Sequence, residues 1–170
     1  MPDFEPLPIL VMNTSNPAVN RAYRIAMGDL VGNIRPFRDG LLDEPQPVIL
    51  AGMDYDTPWT RDAAINVWNG LGLVWPGAAR NTLVSVLERT RDGLRIGGQY
   101  WDAIIWTAGA WAYYLYTGEQ EFLRLVMEAT LNSLAYFEKT EYNPASGLFR
   151  GPACYDDGVA AYPDVYANTN

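Results

Sequence analysis

The sequence predicts an all-α fold, a toroid of paired helices, on two observations. Segments that are apolar on nearly every face alternate with segments apolar on one face only. The two all-apolar segments also repeat a Trp and an Asp: Trp59 and Trp101 lie 42 residues apart, and Asp62 and Asp102 lie 40 apart. Helical-hairpin repeats of ~40 residues are typical of α-solenoids, and a ring of paired helices has the same period. The alternation favours the ring, because a helix apolar all round is buried on all sides, whereas both helices of a solenoid repeat are usually amphipathic.

Residues 1–15 are Pro-rich and read as an extended N-terminal segment, leaving 16–170 as one domain. Asn16-Pro17 reads as an N-cap with Pro at the first helical position. Val19, Tyr23, Ala26, Leu30 and Ile34 then follow at helical spacing, giving an amphipathic helix over about 17–34. Pro36, Gly40, Pro45 and Pro47 punctuate residues 35–56, which read as a long loop holding one strand-like run, VILAG. Thr57-Pro58 is a second cap pair, opening an all-apolar helix over about 59–74. Pro76 starts an amphipathic helix with Leu83, Val86 and Leu87 inward and Arg80, Glu88 and Arg89 outward, ending at Gly93 as its C′ residue. WDAIIWTAGAWAYYLY is the second all-apolar helix, about 100–117. The fifth, about 119–139, turns Phe122, Val126, Leu134 and Phe137 inward and Glu121, Arg124, Glu128 and Glu138 outward. Turn dipeptides at Asn143-Pro144 and Ser146-Gly147 lead through YDDG to a third apolar start, Val159 to Tyr162.

Composition excludes several function classes. The chain has 170 residues and a net charge of -8, with 20 acids against 12 bases, which argues against a nucleic-acid surface. It contains no His, so Ser-His-Asp and Cys-His catalysis and His-ligated metals are excluded, and a single Cys, Cys154, forms no intrachain disulfide. Acid–base chemistry falls mainly to carboxylates. The N-terminus has no basic region before an apolar one, so no signal peptide is expected and the cytoplasm is favoured. No uncharged stretch is long enough for a membrane span. Six Trp and eleven Tyr form either a large aromatic core or flat platforms for a ring-shaped ligand.

In a toroid of inner helices all inner N-termini point to one side. That side would gather Trp59, Arg61 and Asp62 with Trp101 and Asp102, and Asp156 or Asp157 from the third start. Asp62 and Asp102 are, in the plainest reading, first-turn acids favoured by the helix dipole, and Asp156-Asp157-Gly158 an Asx-type turn. Arg61 is different, since a first-turn Arg opposes the dipole and needs an offsetting partner, a carboxylate or a ligand. Arg and Asp beside Trp also suit a sugar: its apolar face stacks on an indole, and its hydroxyls donate to a carboxylate and accept from a guanidinium.

PWTRDAA resembles the WTRD-type segment of glucoamylase-like enzymes. Taken with YWDAII, TGEQEFL and GLFRG followed by YDDG, it makes residues 50–168 similar to the six-hairpin (α/α)6 glycosidases. That clan includes glucoamylases, processing α-glucosidases, trehalases, glycogen-debranching glucosidases and α-L-rhamnosidases. The resemblance implies an inverting glycoside hydrolase that takes an oligosaccharide or glycoside, with α-linked glucosides or related sugars as substrates, and needs no cofactor or metal. It implies that Arg61 and Asp62 hold the non-reducing-end sugar, that Trp59 and Trp101 are platforms, that Asp102 accepts a hydroxyl, and that Tyr55 is a further substrate contact. Asp157 is the expected general acid, with Asp156 the alternative; the base comes from a later part of the barrel. Five helices are readable where the clan has twelve, so only about the first half of the toroid is expected, inactive alone and completed by the missing C-terminal half or by self-association. A non-catalytic helical-hairpin interaction module is the second reading. A cyclase-type toroid is a third, and it lacks the expected DDxxD or His/Cys metal sites.

Overall fold

The computed structural model describes residues 10–98, 102–151 and 167–169. The all-α expectation does not hold. Among the described residues five helices share the chain with three small antiparallel sheets. Helix α1 (Pro17–Gly32) begins as its sequence predicts, with the Asn16 side chain accepting from the Ala18 and Val19 amides. Strands β1 (Ile34–Phe37) and β2 (Gln46–Ile49) then pair as a ribbon inside the stretch read as a loop. Helix α2 runs Thr60–Asn66, widens through a π turn at Val67–Leu71 and finishes over Gly72–Val74. Helix α3 (Pro76–Val84) stops well before Gly93, because Leu87 to Ile96 form a hairpin. Its strands are β3 (Leu87–Thr90) and β4 (Gly93–Ile96), joined by Arg91 and Asp92. Gly93, at φ 111°, serves this hairpin and not a helix end. Helices α4 (Asp102–Thr117) and α5 (Gln120–Thr140) follow. The third sheet orders β5 (Tyr142–Asn143), β6 (Leu148–Gly151) and β7 (Ala167–Thr169).

Helix side chains complete the ribbons' unpaired backbone groups, which would otherwise invite pairing with other strands. The Ile49 amide donates to Thr82 Oγ1 of α3 at 3.0 Å, and Asn81 Nδ2 donates to the Pro47 carbonyl. On the other ribbon the Ile96 amide donates to Ser133 Oγ of α5 at 3.0 Å, and Asn132 Nδ2 donates to the Leu94 carbonyl at 2.9 Å. Val48, Ile49, Leu87, Leu94 and Ile96 are buried, as are Leu83, Trp106, Phe122 and Val126 of the helices.

Helices α2 and α4 lie parallel. Arg61 faces Asp102 at their N-terminal ends, Ala64 meets Gly109 farther along, and the Tyr116 hydroxyl donates to the Trp68 carbonyl near the far end. The crossing is close because residue 109 has no side chain: a Cβ there would lie 2.5 Å from Ala64 Cα. Neither helix is buried on all sides, contrary to what its composition predicts. Ile65, Trp68 and Leu73 of α2 are exposed, as are Ile104, Trp111 and Leu115 of α4. In α5, Phe122 and Val126 point inward as expected, whereas Leu134 is exposed.

A polar knot ties α3, α4 and α5 together at the opposite end. Glu119 accepts from Arg80 Nε at 3.0 Å and from the Tyr113 hydroxyl at 2.8 Å. Burial, reinforced by the Glu119 carboxylate, pushes the Tyr113 phenol up to about 12. The unfolded chain, with its phenol near the ordinary 10.0, loses this proton first as pH rises. Tyr113 therefore contributes stability that is complete below pH 10.0 and lost as pH approaches about 12. Urea midpoints of wild type and Tyr113→Phe measured across that window should converge as pH rises, because only the wild type has this loss to undergo. Midpoints that stay parallel contradict the assignment.

Candidate functional site

The common N-terminal end of α2 and α4 brings together three of the residues singled out by sequence. Arg61 Nη1 lies 3.9 Å from Asp102 Oδ1, and the two side chains are only 17% and 14% exposed. Asp62 sits beside them in the first turn of α2, half-buried. Asp102 thus supplies a carboxylate partner to an Arg placed against the helix dipole. A mostly buried ion pair is weak evidence for stability, since desolvation offsets much of its attraction. The pair sets a carboxylate acceptor against a planar donor fork at the N-terminal end of two parallel helices. Beside the pair, Thr60, the buried first residue of α2, donates its hydroxyl to the Gly97 carbonyl at 2.9 Å. Gly98, at φ 98°, packs so closely on Thr60 that a Cβ would overlap Oγ1. The segment leading towards α4 is therefore latched to the start of α2.

Thr57-Pro58 does not cap this helix. Trp59 is the N-cap residue, with no side-chain cap bond, and its φ of 45° is the single positive value among the described non-glycine residues. A bulky side chain there carries backbone strain of about 1–3 kcal/mol. The conformation leaves the indole 45% exposed at the edge of a cavity of about 240 Å³. Thr57 and Pro58 line the same cavity, as do Asp39 from the β1–β2 connection and Glu88 from β3. Arg61, Asp62 and Asp102 do not line it. Thr57 Oγ1 is buried without a hydrogen-bond partner among the described residues.

Tyr55 is exposed in a turn, its amide donating to the Gly52 carbonyl at 3.1 Å, and it is not in the cavity wall. Trp101, Asp156 and Asp157 lie outside the described residues, as does the third apolar start. Asp39 and Glu88 escape sequence reasoning. Asp39 falls in the stretch read as a long loop, and Glu88 reads as the outer face of a helix that in fact ends before reaching it. Among the described residues no cluster of acids or Cys is arranged to hold a metal ion, and no helix is long and apolar enough to cross a membrane. Comparisons of the chain with protein-family models, with curated proteins and with solved structures give no match.

Proposed function

We propose that this chain carries the sugar-binding portion of a glycoside hydrolase that acts on α-linked glucosides or related sugars with inversion. The observation that carries the reading is the convergence of Arg61 and Asp102, 3.9 Å apart at the common end of two parallel helices. Arg61 and Asp62 hold the terminal sugar, Asp102 accepts one of its hydroxyls, and Trp101 and Tyr55 supply flat contacts. Asp157 protonates the leaving oxygen, with Asp156 the alternative. Inversion also needs a carboxylate base ~6.5–9.5 Å from the acid to activate water, and no residue described in the structure is assigned that role.

The test is a hydrolysis screen of the protein on α-linked disaccharides and aryl α-glucosides, repeated with Arg61→Lys. Lys keeps the charge and loses the planar fork. The expected result is turnover of an α-glucoside whose KM rises ~10-fold or more in the variant, the equivalent of about one charged hydrogen bond, with Tm held. No turnover on any substrate, or an unchanged KM, overturns the reading. The exposed stripe of Ile104, Trp111 and Leu115 on α4 favours a second reading, a helical interaction module. Under that reading Trp111→Glu abolishes partner binding, and Arg61→Lys leaves it unchanged.

A further inference from the structure

We infer that the cavity beside Trp59 is a binding site for a single neutral pyranose ring, with Asp39 and Glu88 as its hydroxyl acceptors, separate from the Arg61–Asp102 pair. Its size limits the ligand: about 240 Å³ is below the ~300–1,000 Å³ of drug-sized sites and holds one ring better than a chain of them. The lining matches the two sides of a pyranose. Trp59, Pro58 and Phe37 offer apolar surface, on which the C–H face of a sugar stacks. Asp39 and Glu88 are both exposed carboxylates, which accept from hydroxyls and donate nothing. Neither Lys nor Arg is among the described lining residues, so a phosphorylated or carboxylated ligand finds no counter-charge.

Two further observations single this cavity out. Thr57, a residue of its wall, carries a buried Oγ1 without a hydrogen-bond partner among the described residues, and such atoms in native structures call for an explanation. The strained backbone of Trp59, which carries a half-exposed indole at the cavity edge, is the second.

The walls are also held in advance of any ligand. Gly40, at φ 61°, seats the Asp39 loop against the end of α3, where a Cβ would lie 2.5 Å from the Ser85 carbonyl oxygen. The Leu41 amide donates to the Val84 carbonyl at 3.1 Å. On the far side the Thr60–Gly97 bond fixes Gly97 and Gly98. A site assembled before binding loses little ordering entropy when the ligand arrives.

The experiment is saturation-transfer NMR on the full chain with methyl α-D-glucopyranoside, with glucose 6-phosphate as the charged comparison. Transfer to the methyl glucoside is expected, with little to the phosphate. Glu88→Gln, a surface change that leaves the fold intact, should weaken binding ~10-fold, the loss of about one charge-assisted hydrogen bond. Made in an Arg61→Lys background, Trp59→Gly should remove most of the remaining transfer while circular dichroism and Tm report a folded chain, because Gly adopts the positive φ without strain. Arg61→Lys separates this inference from the hydrolase reading, whose own sugar contacts it weakens: transfer should persist in that variant, carried by this cavity. The inference is overturned by absence of transfer in the wild type or in Arg61→Lys, or by transfer that survives Glu88→Gln and Trp59→Gly undiminished in the Arg61→Lys background.

Discussion

Trp106→Ala is expected to remove about 3–5 kcal/mol of stability, Trp106 being the bulkiest fully buried side chain among the described residues. Trp106 is fully buried and belongs to the one cluster that joins α1, both ribbons and α2 to α5. Its indole also does a second job. Nε1–H donates to the Leu83 carbonyl at 3.0 Å, beside the end of α3, where helix carbonyls have no partner within the helix. Truncation to Ala therefore leaves a cavity and strips a buried acceptor, which adds about 1–3 kcal/mol. Against a total stability of about 5–15 kcal/mol for a domain, the variant should be partly unfolded without denaturant. Trp106→Phe separates the two effects, because it keeps most of the volume and loses the bond. Urea unfolding followed by circular dichroism should rank wild type above Trp106→Phe and Trp106→Ala last. A Trp106→Ala midpoint within error of wild type contradicts the assigned core.

How much of this was legible in the sequence depends on what each residue type can specify. Asn16-Pro17 marks a helix start by chemistry local to those two residues, and the helix begins there. The Trp and Asp repeat at 59–62 and 101–102 marks two helix starts, and the structure sets Arg61 against Asp102 at their shared end. The hairpin at 87–96 was hidden because Leu83, Val86 and Leu87 fit a helical period, and Gly93 fits a helix C′. The alternative period was present in Leu94 and Ile96, with Asp92-Gly93 as a hairpin turn signal. A short apolar run does not decide between the two by periodicity alone. Apolar composition of α2 and α4 likewise says that their faces avoid water, and it does not say whether this stretch of chain is what covers them. The cavity is hidden for a related reason. The positive φ of Trp59 is imposed by tertiary structure and has no signature in a residue that normally avoids it.

The second large effect is expected at Asp157. If the hydrolase reading holds, its carboxyl must be protonated to donate to the glycosidic oxygen and ionised once it has done so. In that reading the acid keeps its proton because a second carboxylate beside it disfavours ionisation of both. Asp157→Asn preserves shape and hydrogen-bonding capacity and removes the transferable proton, so turnover should fall ~10²–10⁴-fold, the usual scale of general acid catalysis. Sugar affinity should hold, since Arg61, Asp62 and Asp102 are untouched. The chemistry provides an internal control. An α-glucosyl fluoride leaves as fluoride and needs far less protonation than an alcohol, so its turnover should survive Asp157→Asn largely intact. Loss on both substrates assigns Asp157 to another step, loss with the paired variant Asp156→Asn alone moves the acid to Asp156, and unchanged turnover in both variants removes the YDDG loop from the mechanism.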